Sequence, residues 1–380
     1  MKVLTPETEA DLAQAIVQAN SPLRIIGGGT RGIGTGVGEA LSTAGLSGVT
    51  LYEPGALTLV VKAGTPLAEI EAALAAEGQS LPFEPMDHRA LMGTTGVPTI
   101  GGVVACNVSG PRRIASGACR DFMLGVRFVD GSGRVLKNGG RVMKNVTGYD
   151  LVRLMTGSFG TLGVLTEVAL KVLPAPRASA TLAVEGMEPE RAVAALSRAL
   201  GSPFEVSGAA HVAADAGRTL IRLEGFEASV AYRADEMRRL LAEFGAWETV
   251  EDAAEVWRDI RDVTHFGPDG DVWRISARPT EGPALAARVP EAEVVFDWGG
   301  GLIWLCVPEG TDVRARLGMF GGHATLVRAA PETKARLGAF HPGAAPVAAL
   351  EAGLRAKFDP RGLFNPGLMA PVQSYGAGAA

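Results

Sequence analysis

Cysteine is scarce. Three residues in 380, Cys106, Cys119 and Cys306, make an odd number with no C-x-x-C spacing. They can supply neither a disulfide framework nor the ligands of an iron-sulfur cluster, and a reducing compartment is the simplest reading. Histidine is almost as rare: His88, His211, His265, His323 and His341 stand too far apart for an H-E-x-x-H or H-x-H pattern, so no local metal site is expected. No run of 18 apolar residues occurs, and Pro6, Glu7 and Glu9 sit where an export signal needs apolar residues. A cytoplasmic chain, touching a membrane only peripherally through partners, is expected. Charge imbalance is small as well. With 36 basic and 41 acidic side chains the net charge is -5, too weak a bias for a polyanionic partner, and nucleic-acid binding is not expected.

Glycine, in contrast, is abundant, at 50 of 380 residues or about 13%, against an ordinary share of ~7%. It shows no collagen-like period and no Gly/Ser linker, so the excess belongs in loops where backbone approaches something closely. The length suggests two to three domains at roughly 150 residues each.

Along the chain, Thr5-Pro6-Glu7 reads as a helix start, with Leu12, Ala15, Ile16 and Ala19 on one apolar face. Pro22 ends that helix, Leu23 to Ile26 is a short buried strand, and glycines follow. A second unit repeats the alternation, with a strand over Leu57 to Ala63, a turn at Gly64-Thr65-Pro66, a helix from Leu67 and a stop at Gly78. Residues 93 to 117 look too glycine-rich for a helix and too long for a plain loop. Phe122 to Asp130 and Arg134 to Lys137 predict a hairpin around Asp130-Gly131-Ser132-Gly133, and Leu162 to Leu173 another strand. Pro174 to Ser179 is the expected domain boundary. Helices over 190–200, 228–244 and 253–264, with strands such as Thr219 to Glu224 and Leu302 to Val307, give the remainder an α+β pattern.

Gly27, Gly29 and Gly32 match G-x-G-x-x-G after a strand, with Glu53 about 20 residues on, as in a Rossmann fingerprint. A Rossmann loop must open a helix, whereas here the chain continues Ile33-Gly34-Thr35-Gly36-Val37-Gly38. Glycine at alternate positions does not propagate a helix, since each costs about 1 kcal/mol against alanine. The loop therefore reads as a nest of backbone N–H groups for a pyrophosphate, with Thr30 able to add a hydroxyl; a merely flexible turn is the alternative. At Gly28, by this reading, a valine would displace a phosphate oxygen, forbid a positive φ and leave the chain folded. Gly101 and Gly102 suit close passage of a flat ring or phosphate, or else a tight packing corner. Gly157, Ser158, Gly160 and Gly163 add a further cluster. Four glycine-rich segments within some 150 residues argue for one large ligand wrapped by backbone.

The segments RIIGGGTRGIG, TIGGVVACNVSGPRR, SGACRDFMLG, KNVTGYDLVRLMTGSFGTLGVLTEVALKVLP and KFDPRGLFNPGLM together resemble the FAD-linked oxidase family of vanillyl-alcohol oxidase (PCMH-type) fold. Within it they most resemble the FAD-binding E subunits of bacterial glycolate oxidase, and the likeness spans essentially the whole chain. The resemblance implies an α+β protein: a two-lobed PCMH-type FAD-binding domain over 1–175, an α+β FAD-linked oxidase C-terminal (cap) domain over 176–355, and a segment over 356–380 returning to the flavin domain. It implies FAD held by Gly27, Gly28, Gly29, Thr30, Arg31 and Gly32 at the pyrophosphate, by Gly101 and Gly102 at the flavin end, and by Ser158, Gly160, Gly163 and Val164 along the nucleotide. Relatives with covalent flavin use a histidine in the first glycine loop; Thr30 and Arg31 stand there in this chain, so the resemblance implies non-covalent FAD.

The sequence departs from the family in lacking the histidine-rich metal signature common in hydroxy-acid dehydrogenases of this type. His323 and His341 stand alone, and the catalytic residues are left unknown: His323 is a candidate proton acceptor and Arg274 and Arg328 are candidate carboxylate clamps, each with a structural or solvated role as the alternative. The implied function is that of a flavin subunit oxidising glycolate or a related small 2-hydroxy acid beside a larger flavoprotein subunit and an iron-sulfur subunit. A self-sufficient FAD-dependent oxidase and a non-catalytic assembly subunit are the alternatives.

Overall fold

The computed structural model describes residues 3–34, 36–141, 148–214 and 216–369. Thr35 of the glycine run, residues 144–147 of the fourth motif and residues 370–380 of the C-terminal segment lie outside them. The fold is mixed α+β, with a three-stranded sheet, a five-stranded sheet and a two-stranded pair (Gln79–Ser80 with Leu173–Pro174) in the N-terminal part and one large antiparallel sheet beyond.

The first helix, Glu9–Gln18, starts three residues later than expected. Thr8, not Thr5, is its cap: the Thr8 hydroxyl accepts from Asp11 N while the Asp11 carboxylate accepts from Thr8 N. This reciprocal pair satisfies two otherwise free N–H groups at the start of the helix. Leu12 and Ile16 are fully buried from its inner face, against a three-stranded parallel sheet ordered Val3–Leu4, Glu39–Ser42, Leu23–Ile26. Leu363 O accepts from Leu23 N and Leu23 O from Asn365 N, so residues 363–365 extend that sheet beside Leu23.

The second sheet has five antiparallel strands ordered Val49–Glu53, Thr58–Lys62, Val164–Lys171, Met123–Val129 and Val135–Gly139. Val164–Lys171 is central, with every residue but Glu167 and Lys171 buried. Glu53 ends the edge strand of this sheet; no helix follows the glycine loop, so the Rossmann reading is excluded by the fold itself.

From Ala178 the chain builds an eight-stranded sheet ordered Glu248–Thr249, Ala178–Glu185, Arg218–Gly225, Val206–Val212, Glu293–Asp297, Leu302–Val307, Asp271–Ser276 and His323–Arg328. Helix Pro189–Leu200 starts on proline and buries Ala192, Val193, Ala195, Leu196 and Ala199 on this sheet. One apolar cluster runs from Leu59 and Ile100 of the N-terminal part to Trp257, Trp298 and Trp304 of the large sheet unit. The two halves are therefore packed as one body around the segments described next.

Candidate functional site

A cavity of about 450 Å³ lies among the glycine-rich segments. Gly27, Gly28, Gly29, Thr30, Arg31 and Gly32 form one wall, Gly101 and Gly102 a second, and Ser158, Gly160 and Gly163 a third. Val164 is not on the wall. It begins its strand fully buried among Leu12, Ile16 and Leu23, because the alternation of a strand turns it away from the side that Gly163 faces.

The loop is shaped by close backbone contact as well as by the space it borders. A Cβ on Gly28 would lie 1.6 Å from the Val97 carbonyl oxygen, and one on Gly27 2.3 Å from Thr99 Oγ1. Gly28 therefore packs against backbone, and the residue with positive φ is Gly29, at +71°. A Cβ on Gly29 would meet nothing within 4 Å, and one on Gly32 only Met92 Cε at 3.9 Å. These two positions face open space.

Residues 93 to 117 contain a helix that composition argued against, Ile100–Ala105. Its first turn is imposed from outside: Thr65 O accepts from Ile100 N at 3.1 Å, Ala63 O from Gly101 N at 2.7 Å, and Thr99 Oγ1 from Gly102 N at 3.4 Å. Glycine at 101 is needed because a Cβ would come within 2.7 Å of Ala63. The far end of the helix carries the third wall, since Val104 O accepts from Gly157 N and Ala105 O from Phe159 N. Ser158 spends its hydroxyl on Met155 O at 2.8 Å, which leaves backbone as its contribution to the cavity. Asn365, absent from the sequence-based set, closes the assembly. It accepts from Ile25 N at 2.8 Å and donates to Phe159 O at 2.8 Å.

Arg31 and Arg24 are the charged residues of the wall, and Arg31 lies within the glycine loop. Arg31 Nε donates to His88 Nδ1 at 3.2 Å, while Nη2 is buried with no partner. His88 is held neutral, its pKa pushed down to about 3 by burial and then by the Arg31 charge. It cannot neutralise Arg31, and burial lowers the guanidinium pKa in turn. An anionic ligand would complete this arrangement, as expected where a buried donor has no protein acceptor. Cys106 also lines the cavity, and burial raises its thiol pKa, so it is present as SH. Lys334, reaching over from the large sheet unit, donates to Gly32 O at 2.8 Å and steadies the loop.

The three candidates for substrate chemistry are separated by the structure. Arg328 gives its guanidinium to the carbonyls of Gly270, Leu91 and Asp269, the structural role that stood as the alternative to a carboxylate clamp. His323 stands opposite Ser276 in the sheet, its pKa lowered by burial and then by the charge of Arg274. Arg274 lies over Trp298 and Trp304. Among the described residues no cluster of three or more His, Cys, Asp or Glu could hold a metal ion.

A family model described as an FAD binding domain matches residues 2–139. The chain is 38% identical over 373 residues to the glycolate oxidase subunit GlcE of Escherichia coli (strain K12), across 95% of this chain and 98% of that one. The glycolate oxidase subunit GlcD of Bacillus subtilis (strain 168) is 35% identical over 126 residues, covering 33% of this chain and 25% of that protein. A solved structure of alkyldihydroxyacetonephosphate synthase superposes with a TM-score of 0.67 at 16% identity, over 96% of this chain and 76% of that one, a likeness of fold. The whole-chain match, the FAD-domain match and the shared fold agree: this chain is an FAD-binding oxidoreductase of the FAD-linked oxidase family that includes GlcE.

Proposed function

We propose that this chain is the FAD-binding subunit of a complex that oxidises glycolate or a related small 2-hydroxy acid to the 2-oxo acid. Whole-length similarity to a glycolate oxidase subunit carries the reading. The residues around the cavity fit FAD. Open space at Gly29 and Gly32 leaves room for a pyrophosphate, and the unpartnered Nη2 of Arg31 supplies a cationic donor. On this reading 1–175 is the FAD-binding domain, 176–355 the cap and 356–380 the segment returned to the first domain. The flavin is non-covalent, since the loop at 27–32 holds no histidine.

Bound FAD supplies a two-electron acceptor for the C–H bond that the hydroxy acid loses. The protein's part is to orient that carbon, exclude water and take the hydroxyl proton. His323, its pKa lowered by burial and then by the charge of Arg274, is the candidate for that acceptor. Electrons then leave through an iron-sulfur subunit, with a larger flavoprotein as the other partner and any membrane contact peripheral through the complex. Among the described residues no helix is long and apolar enough to cross a membrane.

The test is glycolate-dependent dye reduction by this chain alone, and by the chain co-expressed with a larger flavoprotein homologue and an iron-sulfur protein. Activity confined to a co-purifying complex is expected. Full activity from the isolated chain would instead establish a self-sufficient oxidase.

A further inference from the structure

We propose that Arg113 and Arg274, stacked on the same Trp298 ring, form the site that binds the carboxylate of the substrate. The inference deepens the 2-hydroxy acid reading above and rests on it. Arg113 comes from the short helix Arg113–Ser116 of the N-terminal part, and its Cζ lies 4.4 Å from the Trp298 ring centroid. Arg274 comes from the strand Asp271–Ser276 of the large sheet, with Cζ 5.1 Å from the same centroid and 6.0 Å from that of Trp304. Trp298 is itself fixed across the two halves, donating from Nε1 to Gly110 O at 3.1 Å. The site is therefore complete only when the halves are docked.

What sets these arginines apart is the lack of an acceptor. Arg222 lies over Trp257 in the same way but is paired with Glu84. Arg314, over Trp273, donates to the carbonyls of Ala324, Leu337, Gly338 and Ala339. The guanidinium groups of Arg113 and Arg274 make neither a hydrogen bond nor an ion pair with any described residue. Burial, and then the charge of Arg113, lower the Arg274 pKa to about 10, and Asp297 opposes this without forming an ion pair.

Two like charges are thus held beside one indole ring, with N–H groups from which no described residue accepts. Such groups are the ones that fork a carboxylate, and cation–π contact restrains the guanidinium before the ligand arrives. Neither arginine is among the residues lining the cavity; the link between them and it is His88, which accepts from Arg31 on the cavity wall and feels the charge of Arg274. The indoles of Trp298 and Trp304 beside them are buried, so the surroundings of the pair are apolar. The class that fits is a small monocarboxylate with its hydroxyl on the adjacent carbon.

The experiment uses the FAD-loaded protein, in its complex where partners are required, titrated with oxalate as a non-oxidisable carboxylate and with glycolamide as its neutral counterpart. Binding is read by calorimetry and by perturbation of the flavin spectrum. Oxalate should bind and glycolamide should not. Arg113→Met and Arg274→Met should each weaken oxalate about 10- to 100-fold, the loss expected for a charge-assisted hydrogen bond, with FAD content and circular dichroism unchanged. Arg113→Lys and Arg274→Lys keep the charge but lose the fork, and should fall between; they also serve if a methionine variant does not fold. Oxalate affinity unmoved in the variants, or no oxalate binding by the wild type, overturns the proposal. Glycolate turnover with KM unmoved in both arginine variants would remove the clamp and keep the function. Arginine-dependent oxalate binding in a complex that oxidises no 2-hydroxy acid would do the reverse.

Discussion

Arg222 of the large sheet donates two hydrogen bonds to Glu84 of the N-terminal part, at 3.0 and 2.9 Å, with both side chains largely withdrawn from water. A second pair runs the opposite way, from Arg112 to Glu224 at 2.9 and 2.6 Å, and Glu84 also accepts from Arg112 N at 3.0 Å. Acid and base are exchanged between the halves, so neither half carries a satisfied set alone. Removing one partner of such a pair typically costs about 3–5 kcal/mol, because it strands a desolvated charge. Arg222→Met should lower stability on that scale in chemical denaturation. Adding Glu84→Gln to it should recover part of the loss, since the stranded charge is then gone. A double variant no more stable than Arg222→Met would show that the pair is not coupled.

Glycines 28 and 32 separate packing from ligand space. Gly28→Val drives its side chain into the Val97 carbonyl, so the variant should fail to fold or accumulate as aggregate, contrary to the expectation from sequence that it would only lose ligand. A Cβ at position 32 meets nothing closer than Met92 Cε at 3.9 Å, so Gly32→Val enters open space. It should fold with near-normal melting and bind FAD at least about tenfold more weakly, by filling space that the cofactor needs. Flavin absorbance per chain after gel filtration measures both. Normal flavin content in Gly32→Val would move FAD away from this loop.

Acid precipitation of the holoprotein should leave all flavin in the supernatant. The first glycine loop offers Thr30 and Arg31 where a histidine would be required, and burial keeps Cys106, on the cavity wall, as an unreactive thiol. Yellow colour retained on the denatured polypeptide would contradict this, and peptide mapping would identify the attachment.

Asp297 gives a pH test of the buried junction. Burial raises its pKa from 3.8 to about 7, against the hydrogen bond it accepts from Trp298 N at 2.7 Å. The folded chain thus holds a proton between pH 4 and 7 that the unfolded chain has released, so this group's contribution to stability falls as pH rises through that window and is level above it. Asp297→Asn keeps the acceptor oxygen and removes the titration. Its melting temperature should match the wild type near pH 4, exceed it increasingly up to pH 7, and hold the difference at pH 8. A constant difference across the range would mean that Asp297 is ionised in the folded protein throughout.

The sequence by itself determined the elements whose causes are local. Leu23–Ile26 and Leu302–Val307 are strands where expected because short apolar runs bounded by proline or glycine have no other way to bury themselves. The loop after Leu23–Ile26 was legible as non-helical from its alternate glycines, and the five motif segments were enough to suggest the family. Tertiary structure decided what depends on groups distant in the chain. Ile100–Ala105 is helical against its glycine content because carbonyls at 63 and 65 hold its first turn. Asn365 reaches the cavity only because residues 363–365 pair beside Leu23. Arg113, Arg274 and Trp298 share one stack across 185 residues of chain, and nothing local to any of the three fixes it: two arginines become an unpaired site only when packing denies both of them an acid.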